Sequence, residues 1–84
     1  MSRHERLVQT ILRGRSDANI RFNELRALLR YLVFEERVRG SHHLFNKEGI
    51  VEIINLQSRA GHAKPYQVKQ VRQLILKYKL GADD

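Results

Sequence analysis

Arg39-Gly40-Ser41-His42-His43-Leu44-Phe45 is the stretch on which the fold turns. Gly40-Ser41 supplies a tight turn, and an extended segment runs away from it on each side. Upstream, Phe34-Glu35-Glu36-Arg37-Val38-Arg39 alternates so that Phe34, Glu36 and Val38 share one face, the pattern of a half-buried strand. Glu36 among those apolar residues implies that this end of the face is open. Downstream, His42 to Asn46 predicts a second strand, and Lys47-Glu48-Gly49 a second hairpin connection in which Gly49 is free to take positive φ. Ile50-Val51-Glu52-Ile53-Ile54-Asn55-Leu56 is rich in β-branched residues and predicts the third strand. Together they read as a three-stranded antiparallel meander.

Helical spacing brackets this sheet. Between His4 and Arg13 the apolar residues Leu7, Val8, Ile11 and Leu12 fall on one helical face, and Gly14 follows as a C-cap. Arg15 to Arg21 connects it to a second helix marked by Phe22, Leu25, Leu29 and Leu32, expected to end near Leu32 or Val33. After the strands, Gln57 to Ala63 reads as a mobile polar loop. Pro65 then suits the first turn of a last helix, whose stripe is Val68, Val71, Ile75 and Tyr78 with Leu74 beside it. Gly81 stops that helix, leaving Ala82-Asp83-Asp84 as a loose tail. The order helix, helix, three strands, helix is α+β, with helices gathered on one face of the sheet.

The 84 residues suffice for one domain, 1–84, with a thin core: a chain this short buries only about 60–65% of its unfolded surface. There is no cysteine, which excludes thiol catalysis and cysteine-ligated zinc. Met1 to Arg6 do not lead into the apolar run of a signal peptide, and no stretch of about 18 apolar residues occurs. These features predict a soluble, cytoplasmic chain with no membrane association. Sixteen Lys and Arg stand against nine acidic residues, a formal net charge of +7, which points to a polyanionic partner such as nucleic acid.

His42 and His43 are neighbours on a strand, so their rings lie on opposite faces. If Phe45 is the core residue, His43 shares its side and His42 faces solvent; if Leu44 is, the assignment reverses. Phe45 is the larger apolar group, which favours an exposed His42. An imidazole there can exchange a proton with a phosphodiester near neutral pH, whereas the plain alternative is a turn cap or sheet-edge contact. Adjacent strand histidines cannot chelate one ion together, and no metal site is expected. Gly61-His62-Ala63-Lys64-Pro65 opens the last helix, where free N–H groups and the dipole favour phosphate. Lys64, Lys69 and Arg72 are candidate backbone contacts there, against the alternative of a solvated basic flank. Arg39 could meet the phosphate beside His42. Phe45, Tyr66 and Tyr31 are too scattered to form a stacking platform.

These motifs carry a resemblance. Gly40-Ser41-His42-His43-Leu44-Phe45 and Lys64-Pro65-Tyr66-Gln67-Val68-Lys69-Gln70-Val71, in this order of elements, resemble the HicA family of toxins over residues 22–80. Those are small bacterial messenger-RNA-cleaving proteins with a double-stranded-RNA-binding-domain-like α-β-β-β-α fold, neutralised by HicB antitoxins. The resemblance implies an endoribonuclease whose catalytic histidine is His42, the one following glycine-serine. The turn residues Gly40 and Ser41, with Arg39, Lys64, Lys69 and Arg72, would then contact RNA. It also implies messenger RNA and a HicB-like antitoxin as partners. A 2′-hydroxyl nucleophile would need neither metal nor cofactor. The helix within residues 2–14 is extra to the family pattern, and Ile53-Ile54-Asn55-Leu56-Gln57 replaces a segment that in the family contains proline and histidine. A non-catalytic double-stranded-RNA-binding module is the alternative reading.

Overall fold

Helix α1 (Arg3–Arg13) begins with a reciprocal cap. The Ser2 hydroxyl accepts the Glu5 N–H and the Glu5 carboxylate accepts the Ser2 N–H, each at 3.1 Å. It ends at Gly14, which takes φ +72° and donates its N–H to the Ile11 carbonyl. The computed structural model describes residues 2–81, so the expected tail lies outside the described residues. The apolar face of α1 folds inward: Ile11 is fully buried, with Leu7 and Val8 packed beside it. The helix is therefore part of the core and not an appendage to it.

A 3-10 turn (Asp17–Asn19) leads to α2 (Phe22–Tyr31), which buries Phe22, Leu25, Leu28 and Leu29. The helix stops slightly earlier than its spacing predicts. Val33 adopts φ +69°, its N–H bonds the Arg30 carbonyl, and the Phe34 N–H bonds the Leu29 carbonyl. This is the Schellman arrangement, with a β-branched residue where glycine is usual. It turns the chain sharply enough for Phe34 to enter the core at 4% exposure.

Strands β1 (Glu35–Arg39), β2 (His42–Asn46) and β3 (Ile54–Gln57) form an antiparallel sheet in chain order. The β1–β2 turn is Gly40-Ser41 as expected, and Gly40 takes φ +58° at the position where a II′ hairpin turn requires it. Phe45, Ile54 and Leu56 point inward and are fully buried. They meet Val68, Val71, Leu74 and Ile75 of α3 (Pro65–Tyr78), and the helices cover this inner face.

Three expectations need correction. The third strand does not begin at Ile50, because Glu52 is drawn off to α3, accepting from Lys77 Nζ at 2.8 Å and Tyr78 Oη at 2.6 Å. Val51 and Ile53 are left pointing outward, 90% and 61% exposed. The loop from Gln57 to Ala63 is tethered: Arg59 and His62 exchange backbone hydrogen bonds, Phe22 N–H bonds Gly61, and Ala63 N–H bonds Ile20. Glu36, read as the mark of an open face, is only 8% exposed in its side chain. It is enclosed by Arg26, which donates two bonds at 2.7 and 3.1 Å, and by His43 Nδ1 at 2.7 Å. The inner face is closed by an ion pair at the point where it lacks hydrocarbon. Among the described residues no helix is long and apolar enough to cross a membrane.

Candidate functional site

The two-residue turn fixes the hairpin register, and the register fixes which histidine faces where. His43 pairs with Val38 and Leu56, and Phe45 with Glu36 and Ile54, so these lie on the inner face. His43 is accordingly half-buried against Glu36, its ring edge-on to Phe22 at 5.0 Å between centroids. His42 pairs with Arg39 and Gln57 and is exposed on the outer face. The assignment that makes Phe45 the core residue is the one the structure adopts.

The His42 ring is nevertheless held. Its Nδ1 lies 3.2 Å from Asn55 Oδ1, an acceptor, so the contact is a hydrogen bond in the form of the ring that carries a proton on Nδ1. Nε2 has no hydrogen-bond partner among the described residues, so in the neutral ring with Nδ1 protonated it is the nitrogen left free to act as a base. Beside it a polar chain ties the turn to the start of α3. Gln57 Nε2 donates to Ser41 Oγ at 3.1 Å, and Lys64 Nζ donates to Gln57 Oε1 at 3.2 Å. At that helix start Pro65 occupies the first turn, and the Gln67 side chain reaches back to accept the Lys64 N–H at 3.0 Å. Arg39, Gly40, Ser41, His42 and Lys64 are thus gathered at one margin of the sheet. Arg37 and Arg39 share the outer face, and neither meets an acidic side chain within 4.0 Å among the described residues.

Lys69 and Arg72 are not brought to His42. Arg72 grips Asp17 with two bonds of 3.0 Å and donates a third, also 3.0 Å, to the Ile11 carbonyl. The Arg72 guanidinium, with Lys69 a further positive neighbour, holds the Asp17 carboxyl below its usual range. Arg72 is a clasp joining α1, the 3-10 turn and α3, its guanidinium engaged with these partners. His62 is spent locally, its Nδ1 donating to the Ala60 carbonyl at 3.2 Å. Of the three aromatics, Phe45 is buried, Tyr31 is stacked on His4 at 4.4 Å, and Tyr66 stands exposed on the first turn of α3.

Sequence reasoning missed Asn55 and Gln57, the two residues that orient His42 and the turn. Their alternation with Ile54 and Leu56 puts them on the outer face, but only the β2–β3 register sets Gln57 opposite His42 and Asn55 one row away, opposite Leu44, from where its side chain reaches the imidazole. A cleft of about 480 Å³ between α1 and α2, lined by Arg3, Arg6, Leu7 and Glu24 among others, contains none of these residues. No group of three or more His, Cys, Asp or Glu side chains suited to a metal ion occurs among the described residues. No family model matches this chain, and neither does any curated protein or solved structure.

Proposed function

We propose that this chain is an endoribonuclease that cleaves messenger RNA in the cytoplasm, the toxin of a HicA-type pair restrained by a HicB-like antitoxin. Its architecture is read as double-stranded-RNA-binding-domain-like. The observation that carries the reading is the His42 imidazole, solvent-facing, with Nδ1 committed to Asn55 and Nε2 open beside Arg39 and the turn. A neutral ring so oriented takes the proton from a ribose 2′-hydroxyl. The 2′-oxygen then attacks phosphorus and the bond to the 5′-oxygen breaks, leaving a 2′,3′-cyclic phosphate and a 5′-oxyanion that takes a proton from water to become the 5′-hydroxyl. Arg39, across the strand pair, opposes the charge gathering on the phosphoryl oxygens. Lys64 and the exposed start of α3 hold the neighbouring backbone.

Cleavage of a single-stranded RNA by purified His42→Ala tests this. A positioned acid–base group is worth about 10²–10⁴ in rate, so cleavage should fall by that factor. The melting temperature should stay put, because the ring is exposed. Undiminished cleavage would remove the mechanism. A non-catalytic binder of duplex RNA would instead show salt-sensitive binding, no products and no dependence on His42.

A further inference from the structure

Beginning one row along the outer face from His42, the sheet is dished. Arg37, Leu44, Asn46 and Ile53 line a depression of about 240 Å³. We propose that this depression is a base subsite, taking one unstacked nucleobase of the RNA next to the bond that His42 attacks. The proposal rests on the nuclease reading for the identity of the strand and deepens it by naming what selects the cleavage position.

Position, size and chemistry agree. Arg39, His42 and Gln57 form one row of the outer face, and Arg37, Leu44 and Asn55 the next, with Glu35 and Asn46 beyond. Alternate residues on a strand are about 6.7 Å apart, so the depression begins one row from the imidazole. That step suits the reach from a phosphate to the base of an adjoining nucleotide. The volume falls below the roughly 300–1,000 Å³ of clefts that swallow a drug-sized molecule, and suits a single planar ring system. Leu44 and the outward-facing Ile53 give the ring an apolar floor, while the Arg37 guanidinium offers a plane to stack on and a charge for the phosphate. Asn46 carries an amide with both donors and an acceptor, and it bonds no side chain among the described residues. Asn55 and Gln57, by contrast, are already spent on His42 and on the turn. Glu35 pairs with Asn46 and adds an acceptor at the rim.

The test separates base reading from cleavage. Four fluorescent 2′-O-methyl octamers, one for each base, cannot be cut through the 2′-oxygen, and anisotropy gives their dissociation constants with the intact chain. The wild type should favour one base by about 5- to 100-fold, the discrimination that one hydrogen-bonded base contact provides. Asn46→Ala and, separately, Ile53→Ser should collapse that spread with an unchanged melting temperature, since both side chains are exposed. Equal affinity for all four octamers, no affinity for any, or a spread that both variants retain would each overturn the subsite. Cleavage of ordinary RNA by the same preparations is scored apart. Its absence would sink the nuclease reading while the base spread still reports on the depression.

Discussion

Replacing Arg72 by alanine distinguishes a clasp from a nucleic-acid contact, and the two roles predict opposite results. The guanidinium makes three hydrogen bonds of 3.0 Å, two to Asp17 and one to the Ile11 carbonyl, with side-chain exposures of 16% for Arg72 and 22% for Asp17. A bond to a charged group contributes about 1.5–3 kcal/mol, and bonds sharing one donor group are not additive. Two relaxations lower the cost. Asp17 is open enough to rehydrate, and the Ile11 carbonyl keeps the Gly14 N–H at 3.1 Å. About 2 kcal/mol should therefore be lost, equivalent to roughly 8–16 °C in melting temperature for a domain of this size. Urea denaturation measures it directly. Arg72→Lys should recover only part, because an ammonium cannot reproduce the planar two-point grip on Asp17. RNA binding provides the second readout. A lost phosphate contact lowers the slope of log affinity against log salt by about 0.7–0.9, whereas a lost clasp leaves the slope alone. Unchanged stability together with a reduced slope would refute the structural assignment.

Three further outcomes are expected. Ile11→Ala, at a fully buried position of α1, should cost about 3 kcal/mol in urea denaturation, and a loss below about 1 kcal/mol would show that α1 is dispensable to the core. Lys77, and then Tyr78, hold the Glu52 carboxyl down to about 2 from an ordinary 4.5. The unfolded chain therefore binds the extra proton between those values, so the stability from Glu52 is complete above about 4.5 and fades as pH falls towards 2. Glu52→Gln should flatten acid denaturation over that window, and a parallel curve would contradict the pairing. Val33→Gly relieves a left-handed conformation that costs a β-branched residue about 1–2 kcal/mol, offset in part by the greater freedom of glycine when unfolded. A net gain of about 0.5–1 kcal/mol should raise the denaturation midpoint, and a fall in the midpoint would argue against strain at this cap.

Much of this architecture can be read from local pattern. The apolar spacing of Leu7, Val8 and Ile11, the Gly14 cap, Pro65 at the start of α3 and the Gly40-Ser41 turn are short-range signals, and each element forms where its signal lies. His42 faces outward because the strand period of two places it opposite in sense to Phe45. What local pattern misses is decided by partners far away along the chain. Arg72 looks like one more cation on a helix until Asp17, 55 residues earlier, is folded against it. Ile50 to Ile53 carry strong strand propensity, yet the pull of Lys77 and Tyr78 on Glu52 takes this segment out of the sheet. Glu36 breaks an apolar alternation because Arg26 and His43 close around it, and neither partner follows from strand spacing. Asn55 escapes notice for a related reason, since the length of the β2–β3 connection leaves the register open until the strands pair.

The sheet keeps its two surfaces on separate duties. Glu36, His43, Phe45, Ile54 and Leu56 answer to the helices below, and none of them reaches the side on which His42 stands. Substitutions at Arg37, Asn46 or Ile53 can accumulate without disturbing a single core contact. Descendants of such a chain are free to drift in what they recognise long before they drift in shape, and a designer could regraft that surface while leaving the framework intact.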